Sequence, residues 1–290
     1  MSTSQFGAVR FLDRPGGRIS YTVEGHGPLV VLVPGMGDLR GTYRELAGPL
    51  IDAGYRVATT DLRGMGDGDT GFAEFGDDAT AGDLLALVRE LGDAPAVLIG
   101  NSMGAAAAAI AAAESPELVA GLVGFGALLR NQPSSALTRA LTPLLFRGAL
   151  ARPWGARFWG GFYRSLNTGR TAPWLDEHVA AIVANLRQPG RLRDFRRLAL
   201  ALDHDASERR LGEVRAPMLH VIGALDRDFK DPAAEAAWLR SLGAEVHELD
   251  QTGHYPQAQQ PDRVVPITLG FLRRLRTGDA WRMPLGGARA

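Results

Sequence analysis

Apolar and polar positions alternate over 17–24 like a strand, and 29–33 (Leu-Val-Val-Leu-Val) is a continuous apolar run. Such a run fits a strand covered on both faces. Comparable runs at 55–60, 96–99, 118–125, 218–222 and 245–249 predict five further strands. Between most of them lie stretches of helical length, at 42–53, 78–91, 102–113 and 232–242. Strands that alternate with helices predict an α/β fold: a mostly parallel twisted sheet flanked by helices.

The alternation breaks once. From about 128 to 215 the pattern is helical with no convincing strand, which predicts a helical cap, or lid, inserted between two strands. Residues 127–215 hold 15 Arg against 7 Asp plus Glu, a surplus of +8 that the rest of the chain must balance. Seven Arg and no acidic residue lie between Arg130 and Arg170, interleaved with Phe146, Trp154, Phe158, Trp159, Phe162 and Tyr163. Trp174 follows shortly after. The bland reading is that these aromatics pack the cap helices on the core while Arg solvates the outer face. Arg outnumbers Lys 31 to 1 over the whole chain, so part of this is a general residue preference. The tail from Thr277 has little periodicity and is expected to fray.

Composition narrows the chemistry. The 290 residues carry 32 basic and 32 acidic side chains, so there is no global basic excess of the kind that sequence-independent nucleic-acid binding needs. With no cysteine, disulfides, thiolate metal sites and Cys nucleophiles are excluded. The first ten residues have neither a basic nor an apolar region of the signal-peptide kind. The longest uncharged stretch, 94–113, contains Pro95 and Gly100-Asn-Ser-Met-Gly104, which suits a buried strand turning into a buried helix better than a membrane span. A soluble cytoplasmic protein is expected.

Gly100-Asn101-Ser102-Met103-Gly104 fits G-x-S-x-G, with an apolar strand before it and an alanine-rich helix after it. A sharp strand-to-helix turn strains the central residue and thrusts its hydroxyl off the sheet. Ser102 is the candidate nucleophile; a plain tight turn is the alternative. A serine hydroxyl needs a base. Of six histidines, His220 and His247 fall inside predicted strands and read as satisfied core or surface residues. His26 sits in a turn, His178 on a cap helix, and His204 between Asp203 and Asp205 reads as a surface histidine. His254, in Thr252-Gly-His-Tyr-Pro256, follows the last strand, where parallel sheets meet their ligands, and is the candidate base. The imidazole in turn needs an orienting carboxylate. Strand 218–222 runs into Gly223-Ala-Leu-Asp-Arg-Asp228, so Asp226 is the preferred acid and Asp228 the alternative, because spacing does not separate them.

Acyl transfer also requires donors for an oxyanion. The Met103 amide opens a helix, where negative charge is favoured. The second donor is expected from Pro34-Gly-Met-Gly-Asp38, with Met36 presenting its backbone N–H. Gly35-Met-Gly37 is a poor dinucleotide fingerprint, since the third glycine comes at position 41 and no Gly-Lys-Ser/Thr is present. Asp61-Leu-Arg-Gly-Met-Gly-Asp-Gly-Asp69 lacks a nearby His and EF-hand spacing, and reads as a structural loop.

Together these residues resemble the α/β-hydrolase superfamily over nearly the whole chain. Pro34-Gly35 stands where the family usually has His-Gly. Asp61-Leu-Arg-Gly-Met-Gly66 is similar to its Asp-x-Arg-Gly-x-Gly loop, Gly223-Ala-Leu-Asp226 to its acid turn, and Gly253-His254 to its histidine loop. The resemblance implies a core of residues 1–127 and 214–290 and a cap of 128–213. Ser at the elbow disfavours the acid-nucleophile branch of epoxide hydrolases and haloalkane dehalogenases. It further implies an esterase or lipase-like hydrolase of a small or medium hydrophobic ester, with no metal or organic cofactor. Two alternatives stand beside it. One is a carbon–carbon bond hydrolase of a β-diketone or vinylogous acid; the other is a low-turnover ligand-binding or regulatory protein. The expected partner is a small molecule, hydrophobic and in a minority reading anionic, with no nucleic acid and no membrane span; an acidic carrier is a variant of that anionic reading.

Overall fold

The computed structural model describes residues 7–278 except 93 and 134, together with Trp281. At the centre of the sheet, β3 (Leu29–Val33) is buried at all five positions, and its side chains divide between two apolar clusters. Leu29, Val31 and Val33 belong to one cluster and Val30 and Leu32 to the other, the period-two split of a strand with covered faces.

Eight strands lie in the order β1-β2-β4-β3-β5-β6-β7-β8. They are β1 (Arg10–Arg14), β2 (Gly17–Glu24), β3, β4 (Arg56–Thr60), β5 (Ala96–Asn101), β6 (Val119–Phe125), β7 (Met218–Gly223) and β8 (Glu245–Leu249). β1, β2 and β4 pair antiparallel, and every pairing from β4 to β8 is parallel. The β1 edge was not anticipated: Arg-Phe-Leu-Asp-Arg buries only Leu12 and offers no apolar run. In β2 the polar Ser20 and Thr22 are buried too, with Ser20 Oγ bonded to Asp61 (2.8 Å) and Thr22 paired to Thr59 (2.7 Å).

Helices α1 (Arg44–Asp52) and α11 (Pro261–Thr277) cover one face. The other carries α2 (Asp77–Leu91), α3 (Met103–Glu114) and α9 (Pro232–Ser241). The alanines of α3 let it lie close against β5 and β6. The loop after β4 is structural: Arg63 grips buried Asp83 through two 2.7 Å bonds, and Arg14 joins them. Gly66, at φ +61, is obligatory because a Cβ there would sit 2.0 Å from Asp61.

Between β6 and β7 come α4 (Ala136–Ala149), α5 (Gly155–Leu166), α6 (Leu175–Arg187), α7 (Arg191–Ala201) and α8 (Asp205–Arg210). α8 packs on α2 and α3, at the flank of the sheet. The cap aromatics divide: Trp159 and Tyr163 are buried as expected, whereas Trp154, Phe158 and Phe162 are exposed. Most of the tail beyond Thr277 lies outside the described residues, but Trp281 departs from fraying, being stacked on Tyr55 and donating to Pro95 O at 2.9 Å.

Candidate active site

The turn from β5 into α3 is held by what its glycines lack. A Cβ at Gly100 would lie 2.3 Å from Ala105 N, and one at Gly104 2.7 Å from the Val33 and Pro34 carbonyls. Between them Ser102 has φ 55 and ψ −125, a strained conformation shared among described non-glycine residues in sign of φ only by Gln251. Asn101 fastens this turn to the loop after β8: its Nδ2 donates to Phe125 O (2.9 Å) and to His254 O (3.0 Å). Nothing in the local pattern marks that amide as a tie between two loops.

His254 is buried, and its Nδ1 lies 2.8 Å from Asp226 Oδ2, itself fully enclosed. The backbone N–H of Asp228 donates to the other Asp226 oxygen at 3.0 Å. The Asp228 side chain, one quarter exposed, sits on the opposite edge of the ring, 3.3 Å from Nε2. Spacing had left the two aspartates as alternatives; the structure gives each a different nitrogen. Burial opposes charge on His254, but Asp226, Asp228, the Asp226 hydrogen bond and more distant Asp38 outweigh it and push the ring up to about 9. Burial and the neighbouring Asp226 raise the Asp228 carboxyl, against the pull of His254 and His204. One possible ligand atom from each of Asp226, Asp228 and His254 lies within 4.8 Å of the others, close enough for a cation, but these contacts already give each a partner.

Ser102, Met36, Met103 and His254 line one cavity of about 200 Å³. Met103 is the first residue of α3, so its amide has no acceptor a turn back in the helix. Met36 sits in the turn closed by Asp38 N–H to Gly35 O at 3.3 Å. Met36, Phe146, Trp159, Phe162 and Leu166 are among its apolar lining, and Arg130, Gln132, His204 and Asp228 among its polar lining. Arg130 is its sole cation among the described lining residues apart from the histidines, and it is committed: Nη2 bonds buried Glu235 at 2.8 Å and the guanidinium covers Trp238.

Of the other histidines, His204 and His220 depart from expectation. His204 is buried, with Nδ1 2.6 Å from Asp77, because α8 folds back against α2. His220 is buried with neither ring nitrogen partnered, and burial lowers it to about 4. His178 bonds Asp38 at 2.6 Å through Nε2, and Tyr163 donates to the other Asp38 oxygen at 3.1 Å. Asp38 therefore anchors the cap beside Met36, a role invisible at sequence separations of 125 and 140 residues. His247 is a half-exposed surface histidine on Glu245.

A strained serine at a strand–helix turn, on a sheet that is parallel from β4 to β8 and capped between β6 and β7, defines the α/β-hydrolase class of folds. Residues 30–267 match the alpha/beta hydrolase family, and the chain belongs to it and is an enzyme of that class. Over 292 residues it is 28% identical to the 2-hydroxy-6-oxo-6-phenylhexa-2,4-dienoate hydrolase of Comamonas testosteroni, covering 94% of this chain and 97% of that one. It is 29% identical to a 2-hydroxy-6-oxononadienedioate/2-hydroxy-6-oxononatrienedioate hydrolase of the same species, covering 93% and 96%. A thermophilic esterase from Thermogutta terrifontis shares the fold at a TM-score of 0.73 and 24% identity, over 92% of this chain and 99% of that one.

Proposed function

We propose that the protein is a serine hydrolase that cleaves a neutral, small or medium hydrophobic carboxylic ester through an acyl-enzyme on Ser102. The observation that carries this reading is that His254, bonded to buried Asp226, lines one mostly apolar cavity together with strained Ser102. Ser102 Oγ attacks the ester carbonyl and its proton passes to His254 Nε2. The oxyanion is received by the amides of Met36 and Met103. His254 then protonates the departing alkoxide, which leaves as alcohol. Water, giving a proton to the same nitrogen, attacks the acyl carbon; the intermediate collapses, the carboxylic acid departs and Ser102 Oγ takes that proton back from His254. Asp226 holds the Nδ1–H throughout, and every step is supplied by the chain's own groups.

Carbon–carbon bond cleavage is the second reading, supported by relatives named for dienoates and dienedioates. The cavity wall favours esters over such anions. Its arginine is committed to Glu235, and the Asp228 carboxyl stands in its polar lining. A buried substrate carboxylate would find no uncommitted arginine or lysine among the described lining residues.

Fluorophosphonate labelling tests the first step. Intact mass should show one adduct on the wild type and none on Ser102→Ala; an unlabelled wild type would bring the low-turnover binding protein forward. Product analysis then separates the readings, since acid plus alcohol supports ester hydrolysis and two carbon fragments support the alternative. Matched neutral and carboxylate-bearing esters should differ at least about tenfold in kcat/KM, in favour of the neutral ones.

A further inference from the structure

The cap carries a surface that catalysis leaves unexplained. On α4, Leu137 (69%), Leu144 (64%) and Leu145 (68%) are exposed, with Leu141 beside them. Trp154 and, on α5, Phe158 and Phe162 continue the exposed apolar surface. The Trp154 indole N–H is satisfied by Gly148 O at 2.9 Å. A soluble monomer rarely leaves so many large apolar side chains together in water.

Arg147, Arg152 and Arg157 are exposed on the same two helices and their connection, and none has a carboxylate partner among the described residues. No Asp or Glu occurs in the sequence from Arg130 to Leu175. The patch is therefore apolar and cationic at once, without an internal counter-charge. It also adjoins the cavity. Leu145, Phe158 and Phe162 border an outer groove with Phe146 and Trp159, and Phe146, Trp159 and Phe162 line the cavity of Ser102 as well.

We infer that α4, α5 and their connection dock the enzyme on an anionic lipid surface, with the mouth of the cavity turned toward the bilayer. Leucines and aromatic rings enter the headgroup–acyl boundary while the arginines remain at the level of the lipid phosphates. A second copy of the chain fits this surface poorly. A two-fold contact would bring two copies of this uncompensated cationic patch together. Docking does not depend on the serine chemistry. The two together would let an apolar ester pass from the bilayer to Ser102 along a continuous apolar wall.

The full chain carrying Ser102→Ala, which removes turnover, would be co-sedimented with phosphatidylcholine vesicles with and without 30% phosphatidylglycerol. Binding to the anionic vesicles should be at least about tenfold stronger and should weaken as NaCl rises. Leu141→Ser with Leu144→Ser should abolish binding at every salt concentration. Arg147→Glu with Arg152→Glu should remove the preference for anionic lipid. Both pairs alter exposed side chains, so their melting curves and Ser102 labelling, measured without the Ala substitution, should match the wild type. Sedimentation with neither vesicle type would overturn the inference. So would a concentration-dependent dimer in light scattering that the leucine pair disperses, because a second copy would then cover the patch. Binding to an acidic protein with no binding to vesicles would do the same.

Discussion

The two carboxylates that flank His254 outweigh burial and push its ring up to about 9, which favours the protonated form at neutral pH. A general base must be unprotonated, so kcat/KM for a neutral ester is expected to climb with pH and level off above about 9. Asp228→Asn removes one of the two carboxylates and should move that midpoint down by about one pH unit while leaving the Asp226 contact intact. A profile whose midpoint ignores this substitution would mean that Asp228 does not act on Nε2. Folding follows the same charges. A histidine raised from 6.5 to about 9 stabilises the native state fully below 6.5, and this contribution fades as pH rises through 9. His220 has the opposite sign. Held at about 4 by burial, it takes up its proton only on unfolding, so stability should fall as pH drops from 6.5 toward 4. At 1.36 kcal/mol per pH unit the shift is worth roughly 3 kcal/mol at the acid end. Urea denaturation across that range should show the loss, and His220→Leu, similar in volume, should flatten it.

At the scale of elements, the cap is fastened by a few buried polar contacts. Asp38 receives Tyr163 and His178, Trp159 donates to Gly37 O at 2.9 Å, and Asn185 to Gly66 O at 2.8 Å. Asp38→Ala would leave a buried hydroxyl and a buried imidazole without their acceptor, at a cost of about 3 kcal/mol. The expected outcome is a chain whose sheet still folds but whose 128–213 segment is cut early in limited proteolysis. Wild-type resistance there would show that the remaining contacts suffice. These ties mark the limit of what sequence conveyed. Strands such as Leu29–Val33 were legible because two covered faces demand an unbroken apolar run. The Ser102 turn was legible because Gly100 and Gly104 encode its backbone locally. By contrast, β1 is an edge strand with one buried residue and left no pattern to read. Asp226 and Asp228 differ by which nitrogen they face, and that depends on the loop after β8, far away in sequence. The Asp77–His204 contact spans 127 residues and has no local signal at all.

For the whole molecule, a formal charge of zero conceals a division: +8 over residues 127–215 and −8 over the remainder. Net charge governs solubility, whereas a surface responds to the charge it meets at a distance of about one Debye length. The protein should therefore bind a cation exchanger at pH 7 and low ionic strength, and elute by about 0.3 M salt. Arg147→Gln, Arg152→Gln and Arg157→Gln together should weaken retention. Equal elution of the triple variant and the wild type would show that the column reads some other face.

The end of α5 is stitched to the loop that carries His254. The backbone N–H of His254 donates to Leu166 O at 3.0 Å, and Arg170 N–H donates to Gln251 O at 2.7 Å. Gln259 Nε2 spans Thr168 O and Arg170 O at 2.8 and 2.6 Å. A cap that swung away as a rigid lid would pull the base out of register with Ser102, so opening and reactivity could never coexist. Substrate entry is then expected with α5 in place, and α4 carries none of these ties. Evolution could accordingly rewrite α4 to admit a new substrate while the timing of proton transfer stayed untouched.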